Sequence, residues 1–225
     1  MIKLIFQKLL IKAGKNYKID QQIPSKLLIR FLFIRFFMMC RGILFLRKKV
    51  FLGKGCSIQN KTNIIFGKNV TIEKHTIIDG YAFEKLEIGD NSRIGAYSKV
   101  TCTSHLSKYG IGFKMGSNSA VGDFTHFGAS GGIEIGNDVI MGSYISFHSE
   151  NHIFSDTTKL IREQGVTSKG IKLGNNIWVG AKVTFLDGSQ VGNNSVVAAG
   201  AVVSGVFPDN VVIGGIPAKI LKTIE

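Results

Sequence analysis

The 225-residue sequence predicts an all-β fold, a parallel β-helix with a six-residue repeat, preceded by a basic amphipathic helical segment. The first observation is a period of six in the apolar residues from Leu52 onward, whereas a helix would show a period of 3.6 and an isolated strand a period of 2. The second is a small residue, often glycine, directly after many of these apolar positions. The third is the charge distribution: residues 1–55 carry 13 Lys and Arg against one Asp, and the remaining residues carry 15 basic and 14 acidic side chains.

Residues 1–49 form the predicted N-terminal region. Its segment 24–49, PSKLLIRFLFIRFFMMCRGILFLRKK, contains many helix formers but no apolar run of about 18 residues that could span a membrane. At about 100° per residue, Arg35 lies opposite a basic side. That basic side is formed by Lys26, Arg30, Arg41, Arg47 and Lys48. Such a helix is expected to lie on an anionic membrane surface or to cap the open end of the β-helix, and the two roles are compatible.

Residues 50–225 form the predicted β-helix. Its longest six-residue series is Leu173, Val179, Phe185, Val191, Val197 and Val203, and shorter series begin at Phe66, Ile88, Met115 and Ile135. In a triangular coil made of three repeats, the periodic side chain points into the prism and the small residue beside it allows the corner.

Three segments interrupt this rhythm, at residues 101–114, 128–134 and 153–172. Binding and catalytic sites are often built on loops that project from a rigid scaffold, although a simple tolerance of insertions would give the same pattern. His152 stands directly before the longest interruption. We therefore expect a functional site there.

The cysteines and the first residues bear on the compartment. Cys40, Cys56 and Cys102 are odd in number and form no CxxC pair, which favours a reducing environment. Lysines divide the first apolar segment too finely for a secretory signal. We expect a cytoplasmic protein, either free or peripheral on the inner face of the membrane. Nucleic acid is not an expected partner, because the aromatic residues do not form a stacking platform within a basic groove.

The stretch IKLGNNIWVGAKVTFLDGSQVGNNSVVAAGAVVSG and the later PDNVVIGGIPAKIL resemble the hexapeptide-repeat acyltransferases. The similarity covers residues 50–225 and is greatest to the polysaccharide O-acetyltransferases related to the galactoside, maltose and Nod-factor acetyltransferases. This resemblance implies a left-handed β-helix and a homotrimer with catalytic sites between neighbouring prisms. It also implies acetyl-CoA as co-substrate along a solenoid edge, and no metal.

The resemblance also implies the catalytic residues. His152 matches the family's histidine and is expected to act as the general base, a role that neutral imidazole suits near neutral pH. The backbone N–H groups around Gly180–Ala181 are expected to stabilise the oxyanion. Trp178 is expected to wall the pocket beside the thioester, the alternative being an exposed corner residue with no special role. Glu150 and Asp156 are the nearby carboxylates that could orient His152, and the sequence does not choose between them.

Further candidates follow from the same resemblance. Residues expected to contact acetyl-CoA are Gly180, Ala181, Ala199, Gly200, Ser204, Lys219 and Lys222, the small ones along the pantetheine arm and the lysines at the phosphates. Residues expected to contact a sugar or polysaccharide acceptor are His148, Glu150 and Ser130. A zinc triad of the γ-carbonic anhydrase kind is an alternative role for His126, His148 and His152.

These features predict an acetyl-CoA-dependent O-acetyltransferase. Its expected acceptor is a sugar hydroxyl of a cell-surface polysaccharide (capsule, O-antigen or exopolysaccharide) or of its lipid-linked precursor. The basic N-terminal region favours a membrane-associated acceptor, and Ile153 replaces the proline that follows the histidine in the galactoside and maltose enzymes. The alternatives are a soluble O-acetyltransferase of free sugars or xenobiotics, a γ-carbonic-anhydrase-like protein and a non-catalytic trimeric scaffold.

Overall fold

The N-terminal region is helical in the structure, a computed structural model that describes residues 2–12 and 18–225. Helix α1 spans Ile2–Lys12 and α2 spans Ser25–Arg41, continued by a wider π-helical turn over Gly42–Leu46. The predicted region 1–49 also includes Met1 and residues 13–17, which lie outside the described residues. Within the described ranges, no helix has both the length and the apolar character needed to cross a membrane.

Three parallel sheets follow, one on each side of a triangular prism. The first sheet contains β1 (Phe51–Leu52), β4 (Thr71–Ile72), β7 (Arg93–Ile94), β10 (Ala120–Val121), β13 (Ile140–Met141), β18 (Trp178–Val179), β21 (Val196–Val197) and β24 (Val211–Gly215), with β25 (Ala218–Thr223) antiparallel at its end. The second contains β2 (Ser57–Gln59), β5 (Ile77–Asp79), β8 (Lys99–Thr101), β11 (His126–Gly128), β14 (Ser146–His148), β19 (Thr184–Leu186) and β22 (Val202–Val203).

The third sheet contains β3 (Ile64–Phe66), β6 (Leu86–Ile88), β9 (Phe113–Met115), β12 (Ile133–Ile135), β17 (Ile171–Leu173), β20 (Gln190–Val191) and β23 (Val206–Phe207). Short 3-10 turns lie at Lys61–Asn63 and Ile161–Glu163. A separate two-stranded sheet pairs β15 (Asn151–His152) with β16 (Val166–Thr167). The chain therefore visits the three sheets in turn, one coil after another.

The core is the column of periodic side chains inside the prism. Every residue of the six-member series from Leu173 to Val203 is buried, which confirms the inward direction of that series. The largest members stack: the ring centroids of Phe127 and Phe147 are 4.9 Å apart, and those of Phe147 and Phe185 are 4.8 Å apart. Phe66, in the first coil, is only half-buried.

Two of the three corners have a regular left-handed turn. At the corner between the third and first sheets, the residue with positive φ is Asn or Asp in all seven cases, Asn69, Asn91, Asn118, Asp138, Asn176, Asn194 and Asn210. These residue types tolerate that conformation better than other side chains do. At the corner between the first and second sheets the same position holds Gly55, His75, Tyr97, Phe124, Tyr144, Lys182 and Gly200.

The N-terminal region caps the first coil. Leu46 and Val50 belong to the main core, and the Arg41 Nε donates to the Leu52 carbonyl at 2.8 Å. Arg35, expected opposite the basic side of α2, lies 3.4 Å above the Phe51 ring and donates to the Thr71 hydroxyl at 2.8 Å. The cap therefore covers the open end of the solenoid and ties α2 to the first sheet.

Candidate active site

The three interruptions of the repeat all emerge at one corner of the prism, between the second and third sheets. They follow β8, β11 and β14 in three consecutive coils. Main-chain hydrogen bonds join neighbouring loops: Ala129 N–H donates to the Thr101 carbonyl at 2.8 Å, and Ile111 N–H donates to the Ser130 carbonyl at 3.0 Å. The loops therefore form one stacked wall at this corner.

His152 lies on a small hairpin in the longest of these loops. β15 and β16 are antiparallel, with His152 opposite Val166, and Ile153 N–H donates to the Gly165 carbonyl at 3.0 Å. Asp187 anchors the returning chain, because its carboxylate accepts from the Thr167 hydroxyl at 3.0 Å and from Lys169 N–H at 2.7 Å. The hairpin thus holds an exposed imidazole beside the prism.

Both carboxylates considered as partners of His152 have other contacts. Glu150 Oε2 lies 3.8 Å from Lys108 Nζ. Asp156 accepts from the Thr158 hydroxyl at 2.6 Å, and these Thr158 contacts, with Lys159 as a smaller cause, lower the pKa of Asp156. The His152 side chain itself makes no hydrogen bond or ion pair with any residue in the ranges 2–12 and 18–225. Its ring is therefore open to an external partner.

The predicted acceptor residues near this wall differ in how deeply they are buried. His148 lies exposed on the second sheet, with its Nε2 3.0 Å from the Ser146 hydroxyl and its ring 6.2 Å from that of His126. Burial, and then the charges of His148 and Lys99, lower the pKa of His126. Ser130 is buried in the middle loop.

A zinc triad of His126, His148 and His152 does not form. In the described part of the chain, no three His, Cys, Asp or Glu side chains come together in a way that could hold a metal ion. His148 is exposed on β14, whereas His152 lies on the separate hairpin that follows it. The carbonic-anhydrase-like alternative therefore has no ligand set among these histidines.

A second group of predicted residues lies at the corner between the first and second sheets. Trp178 is 61% exposed on the first sheet, and the Gly180–Ala181 turn follows it. Gly180 N–H is not available as an oxyanion donor, because it donates to the Val197 carbonyl at 2.8 Å. Ala181 N–H has no acceptor among the residues that the structure describes, so this donor is free at the turn.

The next coil has no side chain at the outermost position of this corner, because that position is Gly200. Gly200 has φ +73°, and a Cβ built on it would meet nothing within 4 Å. The equivalent position in the coils below carries a side chain, Lys182 and then Tyr144. The absence of a side chain at Gly200 leaves a smooth path along the edge, next to the exposed Ala199. Such a path fits a narrow flexible ligand such as a pantetheine arm.

Within one chain these two groups do not meet. His152 follows the second sheet, whereas Trp178 and Ala181 precede it, so the width of that sheet separates them. Ser204, expected beside Ala199 and Gly200, instead follows β22 at the corner that carries the loops. The two lysines expected at the phosphates, Lys219 and Lys222, are exposed on β25.

Comparison with known proteins shows which repeat the chain contains. Residues 170–205 match the family model described as bacterial transferase hexapeptide (six repeats). WbbJ of Escherichia coli K12, named as an O-acetyl transferase of lipopolysaccharide biosynthesis, is 29% identical over 174 residues, which cover 74% of this chain and 75% of WbbJ. The chain thus contains the hexapeptide repeat of the bacterial transferases. This agrees with the family and the acyltransferase class expected from the sequence.

Other hexapeptide-repeat proteins are similar over much of the chain. A Mycobacterium tuberculosis protein named as an acetyltransferase is 27% identical over 176 residues, 78% of this chain but only 50% of that protein. The chain thus spans about half the length of this relative. The solved structure of a variant of AntD, an N-acyltransferase from Bacillus cereus in complex with dTDP and coenzyme A, has a TM-score of 0.60 at 21% identity and covers 77% of this chain and 86% of AntD. Its likeness supports the left-handed β-helix.

Two features of the chain were not predicted from its sequence. One is Lys108, in the first loop. The other is a ladder of exposed rings at the corner between the first and second sheets, formed by His75, Tyr97, Phe124 and Tyr144 with successive centroids 5.1 Å apart. Each ring lies three residues after a strand of the first sheet, so the ladder becomes visible in the sequence only when the coils are aligned by strand.

Proposed function

We propose that the chain is an acetyl-CoA-dependent O-acetyltransferase that modifies a sugar hydroxyl of a cell-surface polysaccharide or of its lipid-linked precursor. The observation that carries the proposal is an unpartnered His152 on a loop wall, together with an unpaired Ala181 N–H one coil higher and the open edge at Gly200 in the coil after that. The name of WbbJ supports the acceptor class. The coenzyme A in the AntD complex supports the donor class.

The chemistry assigned to the chain is a single acyl transfer. His152 takes the proton of the acceptor hydroxyl, whose oxygen then attacks the thioester carbonyl carbon. Ala181 N–H donates to the developing oxyanion, and one such donor typically contributes about 10²–10³-fold in rate. The carbon–sulfur bond then breaks, and the protonated imidazole returns its proton to the leaving sulfur. The oxygen–acetyl bond replaces the sulfur–acetyl bond, so no further reactant is needed.

A homotrimer would bring the two groups of residues together. His152 and the Ala181 edge lie on different corners of one prism, so neither corner contains a complete site. In a closed ring of identical chains, the loop corner of one chain can face the bare edge of the next, and three equivalent sites result. The separation of the two groups within one chain supports this arrangement.

The N-terminal region supplies a surface for an anionic membrane. Lys26, Arg30, Phe33 and Phe37 follow one another at intervals of four, three and four residues, so they share one side of α2. All four are exposed, and Leu44 continues the same line. Neighbouring phenylalanine and basic side chains suit a membrane interface, where rings enter the headgroup region and cations meet phosphates. The chain would then work as a peripheral protein at the inner face of the membrane.

Liposome flotation tests this membrane role. The Phe33→Ser/Phe37→Ser double variant should lose most binding to vesicles that contain phosphatidylglycerol, and wild-type binding should weaken as salt rises. The matched control is Phe83→Ser/Phe154→Ser, since those rings are 83% and 75% exposed on the solenoid and its loop. Equal binding by both double variants would refute the role. If Phe33→Ser/Phe37→Ser instead dissociates the trimer and still binds vesicles, this side of α2 forms contacts between chains.

The catalytic proposal is tested with His152→Ala. The variant should lose about 10²–10⁴-fold in kcat, because a positioned general base contributes that much, while acetyl-CoA affinity stays near normal. His105→Ala is the control, an exposed histidine in the first loop whose ring contacts Ser107. Acetyl transfer from labelled acetyl-CoA to lipid-linked glycan and to free sugars would be measured side by side. Near-normal turnover by a folded His152→Ala protein would contradict the mechanism.

A further inference from the structure

We infer that Lys108 is a positioning residue for His152, an inference that rests on the proposed role of His152 as the base. The Lys108 ammonium donates to the Ser168 hydroxyl and lies 3.8 Å from Glu150 Oε2. Lys108 comes from the first loop, whereas Glu150 and Ser168 flank the two strands of the His152 hairpin. One side chain therefore connects two loops of the wall.

The strand register places these contacts at the base of the hairpin. Asn151 faces Thr167 and His152 faces Val166, while Glu150 directly precedes β15 and Ser168 directly follows β16. Glu150 is two residues from His152, so their Cα atoms are at most about 7 Å apart. The ammonium of Lys108 thus joins the two ends of the hairpin close to the residue that carries the imidazole.

Lys108 is itself held by an anchored loop. Its N–H donates to the His105 carbonyl at 3.2 Å, and the Thr103 hydroxyl donates to the Tyr81 carbonyl at 2.8 Å. Gly110 lies so close to Cys102 that a Cβ would collide with the Cys102 carbonyl oxygen. Because the first loop is fixed to the prism at these points, its lysine can define where the hairpin lies.

This tie adds to the Asp187 contacts of the returning chain, because the hairpin itself is short. β15 and β16 are only two residues long each, and both residues of β15 are exposed. An isolated two-stranded hairpin is marginally stable in water. A displacement of about 1 Å in a reacting group can cost about 10²-fold in rate, so a loose hairpin would reduce turnover without changing the donor edge.

The test compares Lys108→Met, Lys108→Arg and Lys114→Met. The Lys108 and Lys114 side chains are 40% and 42% exposed, and each contacts a glutamate, Glu150 and Glu84 respectively. Lys108→Met should lower kcat about 10–100-fold with acetyl-CoA KM within twofold of wild type, which follows from misplacement of the base. Lys108→Arg should recover most of the loss. Lys114→Met should behave as wild type.

Hydrogen exchange gives a readout that does not depend on activity. The amide of Ile153, which donates to the Gly165 carbonyl across the hairpin, should exchange faster in Lys108→Met than in wild type or Lys114→Met. Unchanged kcat in Lys108→Met overturns the inference, whether or not exchange is faster, and so does a rise in acceptor KM alone. His152→Ala is assayed in parallel: if it also turns over normally, the proposed function fails. If only Lys108→Met is normal, the positioning role alone fails.

Discussion

Replacing Gly180 by alanine tests how closely the proposed donor edge is packed. The new Cβ would lie 2.5 Å from the Ala199 nitrogen and 2.7 Å from its Cα, where ordinary contact begins at 3.4 Å. Because these are backbone atoms, the two neighbouring coils must separate by about 0.7–0.9 Å at this corner. Overpacking of this kind costs about 1–3 kcal/mol, which lowers the melting temperature by about 2–12 °C in a chain of this size.

The displacement should also reduce turnover, because Ala181 follows Gly180 directly. Moving its N–H away from the oxyanion position should cost about 10²-fold in kcat. Gly116→Ala is the matched control: its Cβ would lie 2.6 Å from Gly136 backbone atoms, but at the corner between the third and first sheets. It should lose similar stability and keep its kcat. Wild-type kcat in Gly180→Ala, or an equal kcat loss in Gly116→Ala, would refute the reasoning.

Three further predictions concern the core and the second sheet. Phe147→Ala removes the middle ring of the core stack and should lower the free energy of unfolding by about 3–5 kcal/mol, measured as a lower midpoint of unfolding in guanidinium. A loss below about 1 kcal/mol would contradict the role of the stack. The lowered pKa of His126 means that folding opposes its protonation, so stability should fall as pH drops through and below the ordinary value of 6.5. His126→Gln should show a smaller fall between pH 7.5 and 5.5, and an equal fall would exclude this cause. His148→Ala should raise the acceptor KM or lower stability modestly; a large kcat loss at normal KM would move the base role to His148.

The repeat could be predicted because each coil imposes the same requirement on the sequence. Phe185 and Val203 stack in neighbouring coils, and their spacing of three repeats is visible without any structure. The cap was harder. A helical wheel separates Arg35 from the other cations, but only the fold shows that its guanidinium lies on Phe51. The spacing places Phe33 and Phe37 on the side of Lys26 and Arg30, but only the fold shows that this side is exposed.

The sequence predicted individual residues of the site more fully than it predicted how they lie relative to one another. His152 stood out because it precedes the longest break in the repeat. Its relation to Lys108 did not, because loop conformation brings together residues that are far apart in the chain. The corner to which each residue belongs depends on counting strands, which explains why Ser204 was grouped with Gly200 although it lies at the loop corner.

Mixing two inactive variants tests most directly the central claim that each site combines His152 of one chain with the bare edge of its neighbour. His152→Ala removes the base, and Gly200→Trp fills the edge that is open beside Gly200. Each variant alone should be inactive as a homotrimer. Refolded together in equal amounts, they should recover about one quarter of wild-type activity, because a site needs one intact half from each of two neighbouring chains. Absence of recovered activity in mixed trimers that bind acetyl-CoA would contradict the shared site.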